Sequence, residues 1–209
     1  MSNKESVWLK KMVVDEEYMA HQLRANTYSL LAHLFVAEPN KQTVALLGSI
    51  SEQSTVNKTP ISMAWVRLFD VARTMDIAVI SAEFQQLFIG VARGELMPYG
   101  CYYQSGFLMD KPLVVLRQDL QVMGFTRQEN SHEPEDHAAA LCEVMALLVR
   151  EQRKEQFDFF QKHMNVWMPK FFKDINDTPS ACFYQAVALL GTAFFQLEET
   201  FMGMSNDGK

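Results

Sequence analysis

Apolar residues in this chain recur every three or four positions, the spacing of a helix with one buried face. Met19, Leu23, Leu30 and Leu34 mark a first helix that starts after Asp15 and stops before Pro39. "KQTVALLGSI" reads as a short second helix. Thr59 and Pro60 then form an N-cap and N1 pair for "ISMAWVRLFDVARTM". A threonine oxygen there accepts from an orphan amide, and proline needs no donor. Asp76 caps a fourth helix, with Ile77, Ile80, Phe84 and Leu87 on one face and Gly90 as its stop.

Residues 91–110, "VARGELMPYGCYYQSGFLMD", break the pattern with three glycines, a proline and three tyrosines. They predict an irregular loop holding a short helical turn. A helix over "KPLVVLRQDLQVM" follows and ends at Gly124. "FTRQENSHE" offers few core candidates and reads as a polar connector.

Helical periodicity resumes after Pro134. Leu141, Met145 and Leu148 fall on one stripe, with Ala138, Cys142 and Val149 beside it. Phe157, Phe160, Met164, Trp167 and Phe171 form another, which Pro169 kinks or ends early. Thr178 and Pro179 are the expected N-cap and N1 of a last helix carrying Phe183, Val187, Leu190, Phe194, Leu197 and Phe201. No alternating strand pattern and no internal repeat emerges. The expected fold is all-α, a single bundle-like unit of roughly eight to ten helices. It divides into an N-terminal part (1–124), a connector or hinge (125–133) and a C-terminal part (134–209), sharing one core or forming swappable lobes.

Composition narrows the function. With 48% apolar and 21% charged residues, the chain of 209 residues is an ordinary globular protein able to bury a core. Its net charge of −6 gives no basic footprint for nucleic acid and suits a cationic partner better. Cys101, Cys142 and Cys182 contain no C-x-x-C pair, so neither a disulfide framework nor a zinc ribbon is implied. Cys101, in its glycine- and tyrosine-rich loop, is the one expected at the surface. The N-terminus lacks an apolar signal region, and no apolar run reaches the roughly 20 residues of a membrane span. A cytoplasmic location is expected. The 13 methionines fill core gaps or line an adaptable groove.

"SHEPEDH" is the stretch that invites chemistry. A zinc protease pairs two histidines four residues apart on one helix face. His132 and His137 are five apart, which leaves their rings about 140° from each other, and Pro134 stands between them. No metal site or resident cofactor is therefore expected. A nucleotide- or metal-dependent hydrolase using His132, Glu133, Asp136 and His137 is the alternative reading. The plainer one is a helix start: Pro134 at N1, with Glu135 and Asp136 meeting the positive end of the helix.

Two stretches taken together point elsewhere. "EFQQLFIG" with "MPYGCYYQSGFL", and then "EPEDHAAALCEVMALL", resemble the TorD family of cytoplasmic redox-enzyme maturation chaperones, which includes DmsD-like and NarJ-like proteins. The marks are Leu87, Phe88 and Gly90; Pro98, Tyr99, Cys101 and Tyr103; and Glu133, Pro134, Asp136 and His137. Cys101 stands where the family usually shows serine. The resemblance implies a binding protein and not an enzyme. Its partner would be an apo-molybdoenzyme and its twin-arginine signal peptide, and its role cofactor insertion and delay of export. The TorD branch implies a trimethylamine N-oxide reductase client. Carboxylates at Glu133, Glu135 and Asp136 suit guanidinium groups, and Tyr99, Tyr102 and Tyr103 offer aromatic faces. Phe88 and nearby methionines would line an apolar groove. The connector before Pro134 further suggests a domain-swapped homodimer.

Overall fold

Short-range capping signals place several helices where the sequence puts them. The computed structural model describes residues 2–49, 58–91, 93–127 and 133–206, with side chains described within 18–203. These residues form ten α-helices and no strand: α1 Ser2–Val36, α2 Lys41–Ser49, α3 Pro60–Thr74, α4 Ile77–Phe84, α5 Gly100–Ser105, α6 Lys111–Val122, α7 Ala138–Arg150, α8 Gln156–Phe159, α9 Met168–Asp177 and α10 Phe183–Asn206. The Thr59 hydroxyl accepts from the Ser62 amide at 3.3 Å, and Ser62 Oγ accepts from the Thr59 amide at 3.0 Å, a reciprocal cap before Pro60. Asp76 caps α4 through the Ala78 amide at 2.8 Å. Gly124 ends α6 with φ 79°.

Two helices carry an extra residue per turn. α4 runs on as a π turn, Gln85–Ile89, closed by the Gly90 amide on the Gln85 carbonyl at 2.7 Å. α8 continues as a second π turn, Phe160–Met164. Such turns re-aim side chains and often accompany functional sites. Gly90 is required here: its φ is +63°, and a Cβ would lie 2.0 Å from the Arg93 carbonyl oxygen.

α1 packs most extensively on α7, and α10 lies against α3 and α9. Helices on both sides of the 125–133 connector thus contribute to one buried cluster. Its centre is aromatic. Phe35, Phe88, Phe171, Phe172 and Tyr184 meet with centroid separations of 4.9–6.3 Å. No helix among the described residues is long and apolar enough to cross a membrane.

Several expectations change. α1 begins at Ser2, well before Asp15. Its buried face carries Arg24, Tyr28, Leu31 and Phe35, while Met19 and Leu23 are 56% and 62% exposed. Leu197 is likewise 48% exposed, and Glu198 beside it is fully buried. The two shifts have one cause: Arg24 and Glu198 pair inside the protein, with Nε to Oε1 at 2.5 Å and Nη2 to Oε2 at 2.8 Å. The helix expected through Phe171 does end early, breaking at residues 165–167 ahead of Pro169, which sits in the first turn of α9, where its missing N–H costs nothing. Thr178 caps the C-terminus of α9 and does not start α10. α10 begins at Phe183, where buried Glu83 of α4 receives the amides of Cys182, Phe183 and Tyr184 at 2.8–3.0 Å.

Candidate functional site

Pro98 and Tyr99 run antiparallel to Asp136 and His137, an isolated bridge between two loops distant in sequence. The Gly100 amide donates to the Asp136 carbonyl at 2.9 Å, and the Ala138 amide donates to the Pro98 carbonyl at 2.8 Å. The Asp136 carboxylate completes the clasp, its Oδ2 accepting from the Cys101 amide at 2.7 Å. Asp136 therefore caps α5, and not the helix that follows it in sequence. Its other oxygen, Oδ1, is buried without a partner among the described residues.

The helix start at Pro134 is displaced accordingly. Pro134 to His137 form a turn, with the His137 amide on the Pro134 carbonyl at 3.1 Å. His137 is the N-cap of α7, and its Nδ1 accepts from the Ala139 amide at 3.1 Å. That bond requires a neutral ring. Burial supplies the condition, lowering the His137 pKa against the opposing pull of Glu133 and Asp136. The proline gives up its place as N1 because Asp136 is held elsewhere.

Around the clasp Tyr99 pairs with Glu133, and Glu135 with Arg117. Tyr99 Oη donates to Glu133 Oε2 at 2.6 Å, and the Tyr99 ring meets His137 edge-on at 5.1 Å. Burial, then the bond to Glu133, pushes the Tyr99 pKa upward. Glu135 Oε2 accepts from Arg117 Nε and Nη2 at 3.0 and 2.8 Å. Burial opposes its ionisation, but Arg117 outweighs that and lowers the pKa. The faces of Tyr102 and Tyr103 are already engaged. Tyr103 stacks on Trp167 at 5.4 Å with Lys170 over it, and Arg93 lies over Tyr102 at 5.3 Å. Gly100 leaves room for Trp167, whose Nε1 would lie 3.1 Å from an added Cβ.

The residues singled out in the sequence thus separate into two groups. Leu87, Pro98, Cys101, Asp136 and His137 are buried and build the scaffold. Phe88 is half-buried and packs edge-on against Phe35, Phe84 and Tyr184, a core position and not a groove wall. Tyr99, Tyr103 and Pro134 are half-buried, and Glu133 is exposed. Cys101 is fully buried, contrary to its expected exposure; Cys182 is the exposed thiol. Burial first, then Asp136, raises the Cys101 pKa, so it is not a poised nucleophile. His132 lies outside the described residues, as do 128–131 of the connector. Among the described residues no group of three or more His, Cys, Asp or Glu could hold a metal.

One feature escaped sequence reasoning. The turn after α5 exposes Phe107, Leu108 and Met109 at 71%, 48% and 76%, followed by exposed Val114 and Val115 on α6. Met109 has φ 56°, which presents its side chain outward at some backbone cost. A run "FLM" in a loop was the available signal.

Stability should fall as the pH drops below about 6.5, the ordinary histidine pKa. His137 and His163 both have lowered pKa values, chiefly from burial. Between the lowered and the ordinary pKa the unfolded chain binds more protons, so stability present above the ordinary value is lost on acidification. The urea midpoint should be lower at about pH 5.5 than at about pH 7.5, and the drop should shrink in a His137→Gln, His163→Gln double variant. An equal drop in both proteins would place the effect in other groups.

Comparison with known proteins gives a consistent set of relatives. Residues 56–173 match the family model described as nitrate reductase delta subunit. A TorD chaperone of Vibrio cholerae O1 strain M66-2 is 26% identical over 211 residues, covering 90% of this chain and 95% of the relative. A TorD chaperone of Vibrio parahaemolyticus is 30% identical over 137 residues, 59% of this chain and 64% of the relative. A protein of Haemophilus influenzae named as a Tat proofreading chaperone DmsD is 27% identical over 173 residues, 77% and 82% of the two chains. Among solved structures, a protein of Archaeoglobus fulgidus described as a redox enzyme maturation protein superposes with a TM-score of 0.57, at 17% identity over 85% of this chain and 94% of its own. That likeness carries the fold.

Proposed function

The chain belongs to the nitrate reductase delta subunit family, with relatives named TorD and DmsD chaperones, and on that premise we propose that it is a redox-enzyme maturation chaperone acting in the cytoplasm. Its client would be a molybdoenzyme precursor of the trimethylamine N-oxide reductase type. It would bind the apo-enzyme, in part through the twin-arginine signal peptide, assist cofactor insertion and hold back export.

The observation that carries this reading is the clasp. It fixes a rigid turn whose outer edge presents Glu133 beside the half-buried Tyr99 ring. The exposed Phe107–Met109 turn follows the adjoining helix α5 in the chain. A carboxylate with an aromatic wall suits a guanidinium group, and an apolar turn suits the hydrophobic stretch of such a leader. No step of this function needs a reacting atom on the chaperone. A swapped homodimer, exchanging residues 134–209 across the connector, remains part of the proposal. A single monomeric species over a wide concentration range would remove it.

The test is a titration with a labelled twin-arginine leader peptide, its Lys-Lys variant, and the apo-precursor. The arginine peptide should bind more tightly, since lysine cannot make the bidentate contact. Glu133→Lys should weaken binding about tenfold. Asp136→Ala should weaken it through a loosened α5 while costing about 1.5–3 kcal/mol of stability, because its carboxylate is buried. Failure of both peptide and apo-precursor to bind would end the chaperone reading.

A further inference from the structure

A cavity of about 470 Å³ opens between the C-terminal end of α6 and the α8–π turn segment, away from the clasp in sequence. Its polar side is organised by Asp119. Oδ2 of Asp119 accepts from Lys162 Nζ at 2.6 Å and stands 2.7 Å from His163 Nε2. Both contacts fall on one oxygen, and Oδ1 has no hydrogen-bond partner among the described residues. The π turn is what brings Lys162 and His163 to the same side chain. His163 is 7% exposed, and its carbonyl is tied down by Trp167 Nε1 at 2.8 Å.

In the rest of the lining Gln161 is a neutral amide, Glu155 is paired with Arg153 at 3.1 Å, and Asp158, Phe159, Val122 and Met123 are acidic or apolar. Asp158 is exposed, and its carboxylate has no ion pair or hydrogen bond among the described residues. Val122, the last residue of α6, and Met123 after it line the same cleft, and Val122 is 87% exposed. The cleft therefore offers a half-used carboxylate, an unpaired carboxylate and an exposed valine beside a half-buried methionine. Lys162 is the one fully cationic side chain in the lining, and Asp119 already neutralises it.

We infer that this cleft is a second docking subsite for the client polypeptide, taking a segment in which a lysine or arginine neighbours a large apolar residue. The cation would meet Asp158 and Asp119 Oδ1, and the apolar neighbour would cover Val122 and Met123. Charge complementarity selects the cation. A small molecule is disfavoured because a wall as open as Val122 cannot supply the burial that small ligands need. A peptide is held along its length and needs less from one cleft. The inference rests on the chaperone reading and extends it to a surface outside the clasp.

The test places p-benzoylphenylalanine at position 122 or at position 133 of the full chain, mixed with purified apo-precursor and irradiated. Position 122 should crosslink to a client segment with a Lys or Arg beside a large apolar residue. In parallel, Asp158→Lys and Val122→Glu should each weaken precursor binding about 3- to 10-fold, with the fold unchanged because both side chains are exposed. Crosslinking at 133 but not at 122, with unaltered affinity in the two variants, would overturn the subsite and leave the chaperone reading intact. An acidic segment captured at 122 would also overturn it. No precursor binding by the parent protein would overturn both.

Discussion

Glu198→Gln is expected to lose about 3–5 kcal/mol of folding stability, the range for breaking one side of a buried ion pair. Glu198 is fully buried and receives Arg24 Nε, Arg24 Nη2 and Tyr28 Oη at 2.5, 2.8 and 2.9 Å. Arg24 is itself 5% exposed, so the neutral amide leaves a guanidinium without a counterion in a dry site. Its remaining partners, Gln156 Oε1 at 3.0 Å, His21 Nδ1 at 3.4 Å and the Phe201 ring at 4.1 Å, do not supply a full negative charge. The residues joined are 174 positions apart, so the pair ties the first helix to the last. Urea unfolding followed by circular dichroism measures the loss. A triple variant, Arg24→Met, Tyr28→Phe, Glu198→Leu, should recover most of it, because burying charge costs about as much as the pairing returns. If Glu198→Gln loses less than about 1 kcal/mol, the pair is solvated in solution and the packing of α1 on α10 needs another account.

The same pair shows why part of the fold was not legible in the sequence. An arginine among apolar residues argues against a buried face, and the stripe through Met19 and Leu23 looked better on local grounds. Only Glu198, far along the chain, makes Arg24 admissible inside. Thr178–Pro179 failed for a similar reason. The local signal has the right chemistry for an N-cap, but an acceptor from α4 had already claimed the first amides of α10. By contrast, Thr59, Asp76 and Gly124 act within a few residues of themselves, and their roles are legible in the sequence.

The candidate site divides along the same line. Which two segments matter was legible from "MPYGCYYQSGFL" and "EPEDH". Their mutual arrangement was not. The cap expected within residues 134–137 turned into a cross-connection, because Asp136 finds the Cys101 amide and leaves His137 to cap α7. Cys101 and Asp136, buried and bonded to each other, build the platform on which Glu133 and Tyr99 are displayed. The Asp119 cleft carried no signal at all, since a π turn is not written in a 3.6-residue periodicity.

Glu83→Ala is expected to cost about 3 kcal/mol or more, an unusual value for a helix cap. Exposed caps are worth about 0.5–2 kcal/mol, and Thr59→Ala in the reciprocal cap of α3 should fall in that range. Glu83 differs in being 6% exposed and in receiving three amides at once, Cys182 and Tyr184 on Oε1 at 2.8 Å and Phe183 on Oε2 at 3.0 Å. Hydrogen bonds to a charged acceptor contribute about 1.5–3 kcal/mol each, and amides left dry and unpaired add a further penalty. The positive end of α10 also loses its anion. Glu83→Gln should lie between the two, since its amide nitrogen would face an N–H donor. Hydrogen exchange separates this from general loosening. In Glu83→Gln the amides of residues 182–184 should lose protection first, while those in the middle of α7 keep theirs until global unfolding. Equal loss of protection in both helices would show that Glu83 acts on the whole core. Because Tyr184 also bonds the Leu34 carbonyl of α1 at 2.8 Å and packs on Phe88 at 4.9 Å, a freed α10 start would loosen the helix that leads into the clasp. Client binding by Glu83→Gln should then weaken in step with its local exchange rather than with its global stability.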